Sequence, residues 1–473
     1  MVSTHVWILV KVSILVAGVS VIGARAGQNG PESFASIISH GAICDGNGAN
    51  AEADTAAAEA IAAAGQDIYL PSNNYCIFKR PIALHRPGQR IFGDGPAASK
   101  ILVYDVFGAN GRNGFDEGVL NLEAPGQAVR GISMSFRQPA EPKRRSDLVT
   151  YQPAIRARQP ATDLADLLIA GATTCIDMGG NSNAGNSHLT KIDTGCFDYG
   201  IRLDGSLDTV SIQDHHSYPF QMTGAQAAVF GRAQNIAIDL GRVDDYAIQG
   251  GLCLGQTCLN LFNGAQGGAF GTVTGYDFDG AAIGINMTTP NASLVGAALT
   301  FSSGSDSQHA IIQSAGRLVI SGSSFFAIAT TALDTFTGGL QSITGSEWNV
   351  GRYDAAVIIA NCLGESNAPA VNGLSATSCR ITLSGNTVER DPSIRFQHPW
   401  LDSLNAEVVI ATGNSVTATS QGGPFIKIAN DTPGNRVIGN SSPGWTNYVA
   451  NIAMPNQLTP LPVGGIGGIY NSN

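Results

Sequence analysis

An all-β solenoid, a parallel β-helix closed at its N-terminal end by an α-helix, is the fold this sequence predicts. Three observations carry the prediction. Short apolar runs recur at intervals of about 20 to 30 residues, several of them are followed by Gly-Asn, and an Ala-rich segment precedes them all. Charged residues make up only 13% of the chain while Gly contributes 58 residues, a balance that suits short strands and tight turns. The apolar content is ordinary for a packed protein and argues against disorder.

The elements follow in chain order. Residues 1–26 have the layout of an export signal: Lys11 closes a short n-region, residues 12–23 are apolar, and Ala24-Arg25-Ala26 fits small-x-small cleavage near Gly27. The apolar run is too short to span a bilayer comfortably. Residues 55–64 read as a helix with Asp54 as N-cap and Gly65 as stop. A solenoid needs such a cap, because its first coil exposes apolar core and unpaired strand edges. Residues 27–128 therefore hold the cap and the first coils.

The solenoid itself occupies residues 129–440. Its apolar runs are 129–134, 200–203, 209–212, 235–238, 271–274, 317–321, 342–344, 380–383, 407–410 and 436–438. Alternation along each run points apolar side chains inward. Asn386, Asn414 and Asn440 each follow a Gly at one turn position. Asn tolerates a left-handed backbone, and stacked amides hydrogen-bond from coil to coil. A β-sandwich or propeller is the competing architecture; the cap, the irregular connections and the missing blade motif favour the β-helix. Residues 137–160, with Lys143-Arg144-Arg145, Arg156 and Arg158, break the rhythm. They read as a basic excursion, either a solvated loop or a lip for an acidic glycan. Residues 441–473 read as an irregular tail.

Eight cysteines follow the signal, and export permits disulfides. The short-range candidates are Cys44–Cys76, Cys175–Cys196, Cys253–Cys258 and Cys362–Cys379. The repeated Cys-x-x-Cys spacing of a zinc site is absent. A formal net charge of -10 excludes a broad nucleic-acid surface, although a local basic cleft can still hold an anionic glycan.

Polar residues gather most densely between 193 and 245. Asp214, His215, His216 and Tyr218 follow the run 209–212, and Asp239 follows 235–238 with Arg242, Asp244 and Asp245 just beyond. Aligning strand ends sets His215 and His216 near Asp239 or Arg242 on adjacent coils, about 4.8 Å apart per rung. Glycoside hydrolysis needs two carboxyls about 5–9.5 Å apart, which Asp214, Asp239, Asp244 and Asp245 can supply. β-Elimination on a uronate needs a base and a cation instead, for which His215 or His216 would serve with Arg232 or Arg242. Adjacent residues in a strand face opposite ways, so one histidine at most lines a groove. Tyr218 and Phe220 are a sugar platform or core packing. Asp277 and Asp279, with Asp306 and His309, form a second cluster that extends the groove, binds calcium through oxygen ligands or only caps turns. No other cofactor is expected. Glu347-Trp348 and Arg352-Tyr353-Asp354 offer an exposed aromatic beside an acid.

The segment Gly41-Ala-Ile-Cys-Asp-Gly-Asn-Gly48, then Asp54-Thr55-Ala56, Asp67-Ile-Tyr-Leu-Pro71 and Asn74-Tyr75 resembles the N-terminal pattern of the pectate-lyase-like superfamily. The resemblance implies a right-handed parallel β-helix that cleaves or modifies polysaccharide. Val243-Asp244-Asp245 is similar to the Gly-Asp-Asp element of polygalacturonases, whose Gly-His-Gly and Arg-Ile-Lys elements are absent here. Ile212-Gln-Asp-His215 is similar to the Trp-Ile-Asp-His element of pectate lyases, with one extra residue and without their Arg-x-Pro-x-x-Arg element. The chain also resembles bacterial and phage β-helix depolymerases, which implies acidic pairs on neighbouring rungs and a homotrimer. The expected activity is therefore a secreted or periplasmic glycoside hydrolase acting on a polysaccharide. A polysaccharide lyase and a non-catalytic glycan-binding or phage-spike protein are the alternatives. Nucleic acid is not an expected partner, nor is a membrane once the signal is removed.

Overall fold

The N-terminal segment is organised around one buried carboxylate. The computed structural model describes residues 34–104, 117–180, 182–232, 235–289, 291–302, 309–313, 315–326, 331–335, 339–349, 358–360, 379–389, 400–403, 408–416, 426–428, 436–438, 440, 449–451 and 470–471. The helix spans Ala51–Ala63, so Asp54 lies inside it and does not cap it. Its Oδ1 accepts the backbone N–H groups of Ile43 (2.8 Å) and Cys44 (2.9 Å), and its Oδ2 accepts that of Ile77 (3.0 Å). A fully buried carboxylate gains more from three amide donors than from one exposed capping bond. The Cys44–Cys76 disulfide ties the same two segments. Beyond the helix, Gly65 takes a left-handed φ of 70°, as expected of a stop. Ala57, Ala58 and Ile61 bury the helix against the first coil.

The coils then stack into a right-handed parallel β-helix. A 24-stranded sheet and a 14-stranded sheet, here the large and the second sheet, carry the described strands. Each apolar run read from the sequence falls on a strand; residues 129–134, for example, lie within Ala128–Phe136. The Cys175–Cys196 and Cys253–Cys258 pairs form as expected; Cys362, Asp306, the 352–354 triplet and residues 1–26 lie outside the described residues.

Two boundaries differ from the sequence reading. Ile155–Ala157 is a strand of the second sheet, which puts Arg156 and Arg158 on the solenoid rather than in the excursion. Val449–Asn451 pairs with Ile426–Ile428, so the ladder runs into the expected tail. Short strands surrounded by Gly and Pro carry too little periodicity to be seen locally.

A column of left-handed residues turns the large sheet, passing through Asp166, Lys191 and Asp214 and then Gly250, Gly275 and Gly322. The residue after each points inward. In the later coils this inner position is a hydrogen-bonded ladder. Leu299 N–H donates to Ser323 Oγ (3.1 Å), Ser323 N–H to Ser346 Oγ (3.2 Å), and Ser346 N–H to Asn386 Oδ1 (3.1 Å). Asn386 Nδ2 donates to Asn414 Oδ1 and Asn414 Nδ2 to Asn440 Oδ1, both at 2.8 Å. Beside it Phe278, Phe301, Phe325 and Trp348 stack at centroid spacings of 4.7, 4.7 and 3.9 Å. Trp348 is fully buried, against the expectation of an exposed aromatic. Alternation points it inward and leaves Glu347 outside.

Candidate active site on the second sheet

The outer face of the second sheet carries the candidate site. Before its strands stand two long connections, 137–154 and, of the next, residues 218–232. Leu148 of the first and Val229 and Phe230 of the second pack together with Phe197, which precedes the strand Tyr199–Asp204, and Thr223 Oγ1 donates to Ala140 O (2.7 Å). Arg145 pairs with Asp198 at 2.6 Å, so part of the basic excursion is spent on this ion pair. In the turn that follows the strand Ile236–Leu240, Arg242 and Asp244 pair at 2.8 Å.

The outward residues of successive strands form one polar ladder: Arg156, Asp177, Arg202, Asp239, Asn260 and Asn286. Arg158 binds Asp177 at 2.6 Å, with Arg156 at 3.8 Å from the same carboxylate. Burial lowers the Arg158 guanidinium from its ordinary value, opposed by Asp177. Asp239 is 3% exposed. Its Oδ1 accepts Asn260 Nδ2 at 2.7 Å and its Oδ2 lies 3.6 Å from Arg202 Nε. Burial pushes the Asp239 carboxyl above the usual carboxylate range, only partly offset by Asn260 and Arg202. Arg202 is half-exposed and lies over the Tyr199 ring at 5.1 Å.

Asp204 stands two residues beyond Arg202, on the rung next to Asp239. It accepts the Arg242 and Ala265 backbone N–H groups at 2.8 and 3.4 Å. One rung of about 4.8 Å and two residues of about 3.3 Å each put the Cα atoms of the two aspartates roughly 8 Å apart.

The sequence-predicted residues distribute over both sheets, and the expected meeting of His215 or His216 with Asp239 or Arg242 does not occur. The strand Val210–Ser217 belongs to the large sheet and Ile236–Leu240 to the second. His216 neighbours Asp193 and Leu252 in register, while Asp239 neighbours Arg202 and Asn260. Strands consecutive in sequence lie on different faces of a coil, so aligning their ends does not align their side chains. His215 is fully buried, with Nε2 against Thr194 Oγ1 (2.9 Å) and Nδ1 against the Tyr276 hydroxyl (3.1 Å). Desolvation pushes its imidazole down to about 3. It is a neutral core residue.

His216 faces out, between Asp193 (3.2 Å) and Asp214 (3.4 Å). This corner cluster is separate from the candidate site. Burial raises the Asp193 carboxyl, opposed by His216. Asp244 serves Arg242, and Asp245 is an exposed turn residue with φ 57°. Arg232 and Tyr218 are exposed on the second connection, with Tyr218 tilted against Phe220 at 5.4 Å. Asp277 and Asp279 lie on the large sheet, where Asp279 accepts Ser302 Oγ (2.7 Å), whereas His309 opens a strand of the second. Among the described residues of the second cluster, the two aspartates therefore lie on one sheet and His309 on the other. Among the described residues no group of three or more His, Cys, Asp or Glu is arranged to hold a metal ion.

Asp177, Arg202 and Asp204 were missed by the sequence reading. A signal was present in Ile176-Asp177-Met178-Gly179, Ile201-Arg202-Leu203-Asp204-Gly205 and Ile238-Asp239-Leu240-Gly241. Each sets an outward polar residue between inward apolar ones just before a Gly turn, on consecutive coils.

No protein-family model matches the chain, and no curated protein matches it. Solved structures do. The chain is similar to the N-terminal fragment of gene product 12 of bacteriophage phi29, with TM-score 0.56 and 14% identity over 90% of this chain and 73% of that one. The pre-mature form of the same phage protein gives TM-score 0.53 at 12% identity, over 90% of this chain and 58% of that one. The catalytic domain of a GH87 α-1,3-glucanase in complex with nigerose gives TM-score 0.50 at 12% identity, over 74% and 64%. The likeness is one of fold. It is the right-handed parallel β-helix.

Proposed function

We propose that this chain is a glycan-cleaving enzyme, a glycoside hydrolase in which Asp239 protonates the leaving oxygen and Asp204 activates water. One observation carries the reading: a buried carboxyl held above its ordinary range stands one rung from a second aspartate, their Cα atoms roughly 8 Å apart. A raised carboxyl keeps its proton to higher pH than an ordinary aspartate and can give it up in the transition state. Arg202, half-exposed beside Asp239, orients the sugar. The fold likeness to the α-1,3-glucanase domain supports a polysaccharide as substrate.

Arg202 also favours a second reading. Its contact to Asp239 is long, at 3.6 Å, which leaves the guanidinium able to neutralise a uronate carboxylate during β-elimination. Export is part of the proposal: three disulfides suit an oxidising compartment, and residues 1–26 have the composition of a signal. A homotrimer remains the assembly expected of it.

The test is a panel of neutral and acidic polysaccharides, scored for reducing ends and for ultraviolet absorbance of unsaturated uronides. Reducing ends alone mean hydrolysis, and both signals mean a lyase. Neither signal across a wide panel leaves a glycan-binding protein.

A further inference from the structure

We propose that Asn286, two rungs from Asp239, is a positioning residue that fixes through Asn260 which oxygen of Asp239 carries the proton. The geometry is a directed chain of hydrogen bonds. Asn286 Nδ2 donates to Asn260 Oδ1 at 2.8 Å, and Asn260 Nδ2 donates to Asp239 Oδ1 at 2.7 Å. An ionised carboxylate only accepts, so Asn260 must turn its amide nitrogen toward Asp239. The Asn260 carbonyl then faces the next rung and requires a donor there. Asn286 supplies that donor, so the two amides share one orientation along the ladder. In the rung beyond, Ile312 stands in register and offers no polar side chain. The chain of donors therefore begins at Asn286 and runs in one direction to Asp239.

The consequence is chemical. Oδ1 is occupied as an acceptor, so the proton of the acid form sits on Oδ2. That oxygen faces Arg202, on the strand that also carries Asp204. The charged groups facing Asp239 are thus Arg202 and Asp204 from one side, while Asn260 faces it from the other. A proton held on Oδ2 points toward the space between the two aspartates, where a glycosidic oxygen would lie. This role rests on Asp239 being the acid of the proposed hydrolysis, but the relay itself can be tested without turnover.

The experiment follows Asp239 by carbon-13 NMR of the aspartate-labelled full chain, assigning its carboxyl as the resonance lost in Asp239→Asn. Asn286→Asp replaces the donor with an acceptor. Asn260 then turns over and presents its carbonyl to Asp239, favouring the protonated carboxyl, and the midpoint rises by about one pH unit or more. Asn286→Leu, which removes the donor without adding an acceptor, gives a smaller rise. The charge of the new carboxylate acts through space as well, so Asn286→Asp is repeated in an Asn260→Ala chain where the relay is cut. A rise at least about twice as large with Asn260 present is the expected result. Equal rises in both backgrounds would overturn the relay. On a cleaved glycan, the upper pH limit of kcat moves up with the midpoint while KM stays put. A working relay in a chain that cleaves nothing sinks the acid role of Asp239 alone. Cleavage with an unmoved midpoint sinks the relay alone.

Discussion

The inner ladder of Ser323, Ser346, Asn386, Asn414 and Asn440 and the outer ladder of Arg156, Asp177, Arg202, Asp239, Asn260 and Asn286 share one geometry. In both, parallel register stacks one side chain on the next at about 4.8 Å per rung. They differ in chemistry. The inner ladder is neutral, buried and occupied by hydrogen bonds from rung to rung, so it can only hold the coils together. The outer ladder alternates charge over its first four residues, lies on the outer face of its sheet and keeps a carboxyl away from its ordinary protonation range. Stacking is indifferent to function; the side of the sheet on which it occurs decides what it does.

Several substitutions break or sharpen this contrast. The largest effect is expected from Asp239→Asn, which should lower turnover by at least about 100-fold. Its stability should hold or rise. Because burial raises the carboxyl, the folded chain keeps a proton that the unfolded chain has already released. Stability therefore falls as pH climbs from the unfolded value through the folded one, and the amide removes that fall. Paired turnover and melting curves measure both; a variant that melts early and still turns over would place Asp239 in the structure rather than the chemistry.

Asn414→Leu should do the reverse. It strips the acceptor from Asn386 N–H and Asn386 Nδ2, costing about 2–4 kcal/mol in denaturant unfolding, with activity per folded molecule unchanged. A third substitution separates the histidines. His215 stays neutral in the fold down to about 3, whereas an unfolded histidine charges below about 6.5. Stability is thus lost as pH falls through that window. His215→Asn, the residue found in the same column at Asn386, should flatten this acid slope. An unchanged slope would mean that carboxylates alone govern acid unfolding. The smallest effect is expected from His216→Gln: because the corner cluster lies off the second sheet, turnover should change by less than about threefold. A loss near 100-fold would move the active site to Asp193, His216 and Asp214.

Much of the scaffold was legible in the residues. Apolar alternation marked the strands, and Gly followed by Asn marked the turn whose amides now stack. The spacing of cysteines also gave the three disulfides. The cap was legible too, but the role of Asp54 was not: its partners are Cys44 and Ile77, and a local pattern cannot separate an N-cap from a clamp on distant amides. The candidate site was legible only in part. Asp239 stood out, yet its neighbours were read from the wrong strand.

The sequence by itself determined the period and the inward and outward faces of each strand, because these depend on steric preference and hydrophobicity within a few residues. It also determined that His215 and His216 point opposite ways. Tertiary structure alone decided which outward residues share a rung. Asp204, Arg202, Asp239 and Asn260 come together from three coils whose connections differ in length, so their adjacency is a property of register. Register is fixed by the packing of the whole core and is written in no single segment.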